Sequence, residues 1–364
     1  MAAFRPKTKT NTSDVPLVFT ALSTQATGDL VAAKKEWSAK LLRRSQAKIQ
    51  GARALTAAVG PDPDLNLMGV GIGEKLVDDK PTGILTLKFL VRIKYPPNQV
   101  LTKYLLPKTV RGIATDVEEV GLLRRFEKKK RRAKAAQAGV MPDPRVRMRP
   151  AQPGCSVGFR DPANQFVMAG TFGAVVRGDS NTYILSNNHV LADEGRLAKG
   201  SPIFQPGLLD NGNPNTDRIA ELTNFVPLAV GMPNRVDAAT ARVLKTSLVS
   251  PAILYIGAPQ GTKPAAIDMV VHKFGRTTGY RAGRITSVDT DVSVQYETGT
   301  YTFESQIIIR GLDDQPFSDA GDSGSLILER ASKQALALLF AGSSTHTIAN
   351  HIEDVLQALQ VTLA

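Results

Sequence analysis

Three residues of the sequence, far apart in the chain, have the side chains needed to activate a nucleophile. His189 follows an apolar run, Asp237 lies among small apolar residues, and Ser323 lies within GDSGS at 321–325. A serine hydroxyl is a poor nucleophile until a base removes its proton, and an imidazole can do so near neutral pH. A carboxylate must then hold the imidazole in the right tautomer and stabilise its charged form. The three residue types therefore predict acyl-transfer chemistry with Ser323 as the nucleophile.

The glycines beside Ser323 predict a second part of such a site. Glycine allows backbone conformations that let neighbouring N–H groups converge on one point. Such a point stabilises the negative oxygen of a tetrahedral intermediate. We expect the backbone N–H groups of Gly321 and Ser323 to form this oxyanion hole.

The carboxylate that orients the histidine has several candidates in the sequence. Asp193 is too close along the chain to reach around the ring easily, and Asp210 and Asp217 lie in a loop rich in Gly, Asn and Pro. Asp268 precedes a late strand. Asp237 lies in a predicted strand with small neighbours, where a buried acid needs a partner. Asp237 is favoured, and the other four remain alternatives.

No metal or cofactor site is predicted. His272, His346 and His351 have no cysteine or carboxylate at ligand spacing. The glycines at 69–73 are spaced GxGxG rather than GxGxxG, and a strand-like segment follows where a dinucleotide-binding motif needs a helix. Cys155 is expected to be a small core residue.

Composition is that of a soluble protein of 364 residues with a net charge of +12. No apolar run approaches the ~20 residues of a membrane span. The first 16 residues are polar and predict no secretory signal. The single cysteine excludes an intramolecular disulfide, which favours a reducing, cytoplasmic setting.

The chain divides into four predicted regions. These are a disordered tail with a basic helix at 29–57 (together 1–58), a small α+β domain at 59–123, a basic Pro-containing linker at 124–150 and an all-β domain at 151–364 that ends in a helix at 350–359. Within the second region, 84–95 and 115–120 are strand-like, whereas the part before Gly83 shows no sustained alternation.

The predicted linker holds much of the positive charge. Residues 124–149 contain eleven Lys/Arg against Glu127 and Asp143, a net of +9. Such a run is usually solvated and mobile, and it could also bind an acidic partner or an anionic surface. Three prolines exclude regular structure in its second half.

The motifs resemble those of the trypsin/chymotrypsin-like serine peptidases. GDSGS matches that family's nucleophile motif, and His, Asp and Ser follow in its order. Four further segments resemble a bacterial branch of the family that lacks disulfides: LSNNHVLA at 185–192, VDAATA at 236–241, KFGRTTG at 273–279 and FAGS at 340–343. The stretch 69–121 resembles the segment that precedes the peptidase in such proteins.

The resemblance implies a mainly β fold, a chymotrypsin-like double β-barrel over 151–364. It also implies a serine endopeptidase without a cofactor, in which His189 is the general base and Asp237 orients it. The substrate pocket would have Phe317 at its base with Ser318 beside it, and the strand Phe340, Ala341 and Gly342 as its wall. A base without a carboxylate predicts apolar or small P1 side chains rather than Arg or Lys.

One departure from the family concerns Asp322. In zymogen-type relatives a freed N-terminal amine pairs with the acid before the nucleophile, but about 150 residues precede the barrel here. We expect an internal cation such as an Arg to pair with Asp322. Two other functions stay open: an inactive peptidase fold that binds an acidic partner, and an esterase or transacylase.

Overall fold

The computed structural model describes residues 24–49, 60–77, 80–125, 141–161 and 167–364. These residues form a mainly β fold with one long helix near the start of the chain and a short one near its end, as predicted. Most of the tail predicted to be disordered, residues 1–23, lies outside them. No helix in the described residues is long and apolar enough to cross a membrane.

The described residues contain four α-helices and nineteen strands. The helices are α1 Thr24–Ile49, α2 Pro63–Asn66, α3 Asn188–Leu191 and α4 Ile352–Leu359. The strands are β1 Leu67–Val77, β2 Lys80–Val91, β3 Thr109–Val110, β4 Ile113–Glu119, β5 Arg124–Arg125, β6 Ser156–Val157, β7 Gly170–Thr171, β8 Ala174–Gly178, β9 Asn181–Ser186, β10 Pro202–Phe204, β11 Arg218–Phe225, β12 Ala239–Val243, β13 Val270–Gly275, β14 Gly279–Gln295, β15 Thr300–Gly311, β16 Leu326–Glu329, β17 Ala335–Gly342, β18 His346–His351 and β19 Thr362–Leu363.

The strands of the C-terminal half close into a barrel. They follow the order β13, β16, β17, β18, β15 and β14, and β13 also pairs with β14. Ile307, Ile309 and Leu339 are fully buried among the apolar side chains that fill this region. Closure pairs most of each strand on both sides, so the turns between strands are held at fixed positions.

A second sheet lies earlier in the chain. Its order is β10, β11, β12, β9, β8 and β19. Strands β9 and β12 are neighbours, with Ser186 opposite Ala239. His189 comes just after β9 and Asp237 just before β12, so pairing of these strands brings the two side chains together.

The segment 67–119 extends the sheet of the C-terminal barrel. β1 pairs with β14, with Gly69 opposite Val292, and β2, β4 and β3 follow on its other side. Strand β1 was missed in the sequence because its glycines hide the alternation. They are needed for close approach, since a Cβ on Gly71 would lie 2.1 Å from Oγ1 of Thr290. The division into a separate small domain at 59–123 remains a prediction.

The basic helix packs against its own protein. α1 begins at Thr24 and extends to Ile49, whereas the sequence predicted 29–57, and residues 50–59 lie outside the described ranges. Nζ of Lys34 lies 2.8 Å from Oδ1 of Asp289 in β14 and also forms an ion pair with Asp291. The helix therefore covers the outer face of the extended sheet.

The predicted linker is attached to the fold at both ends. Arg124 and Arg125 form a strand of the large sheet, and residues 126–140 lie outside the described ranges. Residues 141–150 form no helix or strand, yet Nε of Arg147 lies 2.7 Å from Oδ1 of Asp217, and Arg149 donates to the carbonyl of Gln205 at 3.0 Å. Most of residues 141–150 are exposed, whereas Arg149 is only partly exposed because these contacts hold it.

Glu118 in β4 links the added strands to the barrel. Its carboxylate lies 3.0 Å from Nε2 of His346 and 2.5 Å from Nζ of Lys88. Burial alone would raise the pKa of Glu118, but the hydrogen bond with His346 and the charge of Lys88 outweigh it and lower the pKa from 4.5 to about 2.

We expect this depressed pKa to make stability fall in acid. The contribution of Glu118 is present above pH 4.5 and is lost as the pH falls toward 2, because protonation then favours the unfolded chain. Glu118→Gln should lower the free energy of unfolding by about 2–3 kcal/mol at pH 7 and by much less near pH 2. Urea unfolding across this range tests it. Glu36→Gln, which removes a half-exposed pair with Arg111, is the control. Equal losses in both variants would contradict the prediction.

Candidate active site

His189 and Asp237 form a buried pair. Nδ1 of His189 lies 2.5 Å from Oδ2 of Asp237, and the backbone N–H of His189 donates to Oδ1 at 3.2 Å. Neither residue is exposed to solvent. With Nδ1–H donated to the carboxylate, Nε2 is the nitrogen left free to accept a proton.

The Asp237 carboxylate has further donors that keep it ionised. The hydroxyl of Tyr296 donates to Oδ2 at 2.6 Å. Burial would raise the pKa of Asp237, but the charge and hydrogen bond of His189, with the bond from Tyr296, lower it below its ordinary value. Burial is the main cause that raises the pKa of Tyr296 well above 10, and the charge of Asp237 raises it further. The site therefore holds an ionised acid beside the imidazole.

The four alternative aspartates lie beside other cations. Oδ1 of Asp193 is 2.7 Å from Arg196, Asp210 forms a two-point pair with Arg276 at 2.5 Å, Asp217 pairs with Arg147, and Asp268 lies 3.6 Å from Arg284. Of the five candidates, Asp237 is the one that contacts His189.

The turn that carries Ser323 depends on two glycines with positive φ. Gly321 has φ 95° and Gly324 has φ 92°, a region that residues with a Cβ rarely adopt. Gly324 also packs tightly, since a Cβ there would lie 2.1 Å from Oγ of Ser186. The N–H of Asp322 is used by the carbonyl of Asp319 at 3.0 Å. Among the described residues, the N–H groups of Gly321 and Ser323 donate to no backbone carbonyl, as an oxyanion hole requires.

The segments that carry Ser323 and His189 meet, but no hydrogen bond joins the two side chains. Oγ of Ser323 donates to the carbonyl of Phe340 at 3.4 Å, and Nε2 of His189 is buried with no hydrogen-bond partner among the described residues. A Cβ placed on Gly170 would lie 2.6 Å from Val190 and 3.1 Å from the carbonyl of Ser323, so the two segments meet there. Such hydrogen bonds often tighten only when substrate binds.

Lys273 is the internal cation that pairs with Asp322. Nζ of Lys273 lies 3.0 Å from Oδ2 of Asp322, and both side chains are fully buried. Oγ1 of Thr278 donates to Oδ2 at 2.7 Å, and the N–H of Thr277 to Oδ1 at 2.8 Å. Burial would raise the pKa of Asp322, but the charge of Lys273 and the hydrogen bond from Thr278 lower it. The sequence predicted an internal cation and suggested an arginine; the structure has a lysine from KFGRTTG.

We expect Lys273→Met to destabilise the protein by about 3–5 kcal/mol at pH 7, because it leaves Asp322 charged and unpaired in the core. The deficit should shrink as the pH falls below 3.8, since the wild-type pair then also loses its ionised carboxylate. Chemical unfolding measures both effects. Lys263→Met, which breaks a partly exposed pair with Glu329, should cost under about 1 kcal/mol. A Lys273→Met protein as stable as this control would contradict the prediction.

The predicted substrate pocket is built of buried residues. Phe317 is 1% exposed and packs inside the barrel, where a Cβ on Gly283 would lie 2.6 Å from its ring. Oγ of Ser318 lies 2.6 Å from Oγ1 of Thr347. Phe340, Ala341 and Gly342 form the end of β17, and their role as the pocket wall stays a prediction.

β5 covers the edge of that wall. Arg125 lies opposite Ala341 and Arg124 opposite Gly342 in an antiparallel pairing. The candidate catalytic residues are themselves buried: His189 is 0% and Ser323 1% exposed.

Sequence reasoning missed three residues that support the site. The hydroxyl of Tyr296, in the hairpin between β14 and β15, contacts Asp237, and no motif marks this tyrosine. Oδ1 of Asn350, in β18 of the C-terminal barrel, accepts a hydrogen bond of 3.0 Å from the backbone N–H of Asp237. Lys273 was quoted only as part of a motif. The sequence spacing between each of these residues and its partner does not indicate contact. The contacts form only when the two sheets come together in the folded chain.

Cys155 and the other histidines take no part in the site. Cys155 is fully buried in the apolar core, and burial raises its pKa to about 12. His272 has its pKa lowered to about 4, mainly by burial. Among the described residues, no group of His, Cys, Asp and Glu is placed to hold a metal ion.

Comparison with known proteins finds similar structures but no similar sequence. No family model and no curated protein matches the chain. Among solved structures, Thermobifida fusca Protease A is 18% identical, covering 58% of this chain and 97% of its own, with a TM-score of 0.42. A Nocardiopsis protease is 17% identical, with coverages of 58% and 99% and a TM-score of 0.43. Cellulomonas bogoriensis chymotrypsin is 20% identical, with coverages of 53% and 90% and a TM-score of 0.37.

These are chymotrypsin-like serine proteases. They belong to the family that the motifs of this sequence resemble. At these identities and TM-scores they supply no argument about activity. The case for a function therefore rests on the geometry of His189, Asp237 and Ser323.

Proposed function

We propose that this protein is a serine endopeptidase with Ser323 as nucleophile, His189 as general base and acid, and Asp237 as the residue that orients the histidine. The observation that carries the proposal is the contact of 2.5 Å between Nδ1 of His189 and Asp237, which leaves Nε2 as the ring nitrogen without a hydrogen-bond partner among the described residues. A buried imidazole without a partner on one nitrogen is costly in a purely structural role.

The proposed reaction proceeds through an acyl-enzyme. Nε2 of His189 takes the proton of Ser323 as Oγ bonds to the substrate carbonyl carbon, and the carbonyl electron pair moves to oxygen. The N–H groups of Gly321 and Ser323 stabilise that oxyanion. The imidazolium gives its proton to the amine nitrogen as the C–N bond breaks, and water, deprotonated by His189, then hydrolyses the ester and restores the serine.

The proposed substrates are proteins or peptides with an apolar or small residue at P1. The proposed pocket base, Phe317 with Ser318 beside it, is buried and has no carboxylate of its own, and burying an ammonium there would cost several kcal/mol of desolvation. We therefore expect poor cleavage after Lys or Arg. Profiling with a peptide library tests this, and a strong preference for Arg at P1 would refute it.

A fluorophosphonate probe tests the proposed function directly, because it reacts quickly only with a serine activated by its base. Labelling of the wild-type chain that is lost in Ser323→Ala, together with hydrolysis of peptides, supports an endopeptidase. Labelling without peptide hydrolysis but with ester hydrolysis indicates the esterase or transacylase. No labelling in any folded protein, including Arg125→Glu, indicates the inactive binding protein.

A further inference from the structure

The segment Leu122–Arg125, called here the covering segment, lies against the end of β17, the strand predicted to form the pocket wall. Its last two residues pair antiparallel with Ala341 and Gly342 of β17. On its other side, the N–H of Gln295 in β14 donates to the carbonyl of Leu123 at 3.1 Å. The covering segment thus fills the gap between β17 and β14.

The edge that it occupies is the one beside the nucleophile. β17 pairs with β16 only as far as Leu338, and β18 lies on its opposite side. Beyond Leu338, the strand continues through Leu339 to Phe340, whose carbonyl lies 3.4 Å from Oγ of Ser323. An extended peptide that reaches Ser323 along this strand must add to the edge at Ala341 and Gly342, where backbone pairing supplies affinity.

Buried side chains anchor the covering segment. The side chain of Arg125 is 4% exposed; its Nε lies 2.8 Å from the fully buried carboxylate of Glu194, and it also forms an ion pair with Glu297. Leu123 is 1% exposed and belongs to the same apolar cluster as Phe340. Arg124, between them, is exposed. Burying a guanidinium is costly unless it is paired, so this placement depends on the two glutamates.

We propose that the covering segment occupies the substrate-binding edge of β17, and that a substrate peptide can bind only after this segment leaves. This inference rests on the proposed peptidase function. Two strands cannot share one edge, so occupation by the chain's own segment competes with substrate. The full burial of His189 and the 1% exposure of Ser323 are consistent with a closed site.

Displacing the segment also exposes an acidic site. Glu194 and Glu297 would then face the substrate residue that takes the place of Arg125, opposite Ala341. In the substrate sequence this residue comes directly before the one opposite Phe340. We expect a basic side chain to be favoured there, because it takes the place of Arg125.

Arg125→Glu tests the proposal in the full-length protein, with Arg124→Glu as the matched control. The first variant places a carboxylate against Glu194 and Glu297 and should drive the segment off the edge. The second makes the same charge change on the exposed neighbouring side chain. We expect fluorophosphonate labelling of Ser323 to be at least about tenfold faster in Arg125→Glu, a shift of about 1.4 kcal/mol, and unchanged in Arg124→Glu.

Arg125→Gln is the second variant in case Arg125→Glu does not fold. Glu194 keeps donors from the N–H groups of Glu297 and Thr298, so loss of the arginine does not leave it unpaired. Its labelling should also be faster than that of the wild-type protein. An added peptide with the sequence of the covering segment should slow the labelling of either variant.

The outcomes separate the two proposals. Equal labelling of the wild-type protein and folded Arg125 variants would overturn the covering role while leaving the peptidase intact. Equal acceleration by Arg124→Glu and Arg125→Glu would also overturn it, since charge alone would then be the cause. No labelling in any folded protein would overturn the peptidase function, and the inference with it.

Discussion

Ser323→Ala and His189→Ala are each expected to lower kcat for peptide hydrolysis by about 10⁵–10⁶-fold, because nucleophile and base act as a unit. The fold should persist in Ser323→Ala, since the hydroxyl makes only a 3.4 Å bond to the carbonyl of Phe340, and in His189→Ala because Asp237 keeps the Tyr296 hydroxyl and the backbone N–H of residue 189 as donors. The double variant should be no slower than either single one. Steady-state hydrolysis of an apolar peptide substrate measures this, with circular dichroism to confirm folding.

Two controls make this result specific. Ser201→Ala removes a hydroxyl that only bonds the carbonyl of Ala198 in an exposed turn, and should leave kcat unchanged. The same comparison in the Arg125→Glu background excludes the covering segment as the cause of a low rate. Activity within tenfold of the parent in either catalytic variant would refute the assignment of Ser323 and His189.

Asp237→Asn should cost about 10⁴-fold in kcat, because an amide favours the wrong imidazole tautomer and no longer stabilises the imidazolium. Asp217→Asn and Asp268→Asn serve as controls, because both carboxylates lie next to arginines rather than the histidine. We expect these two to stay within tenfold of the parent. The measurement is kcat for the same peptide at pH 7. A large loss in either control without one in Asp237→Asn would transfer the orienting role to that residue.

The strand-rich C-terminal region and the segments bearing the candidate site were predictable because they depend on local patterns. Short apolar runs between turn residues mark the strands around His189 and Ser323. GDSGS predicts a glycine turn, and Gly321 and Gly324 adopt the positive φ that such a turn requires. These features lie within a few residues of one another, where sequence patterns are informative.

The remaining features depend on contacts between distant residues. The glycines of β1 look like a loop until β14 is placed against them. Lys273 is one of many lysines until closure of the barrel brings it to Asp322. Arg125 belongs to a basic run that predicts a solvated linker, yet it is buried because Glu194 and Glu297 meet it from two other segments. No single-sequence pattern reports such pairs.

Pairing of β1 with β14 has a consequence for folding while the chain is being synthesised. Gly69 and Val292 are neighbours in the sheet but more than 200 residues apart in sequence. At translation rates of about 5–20 residues per second, the partner of β1 emerges at least ~10 s later. α1, β1 and β2 share an apolar cluster and can assemble first, leaving one glycine-rich edge of β1 unpaired for that interval. An open edge invites pairing with other nascent chains, so this edge of β1 is exposed to misassociation until β14 is made.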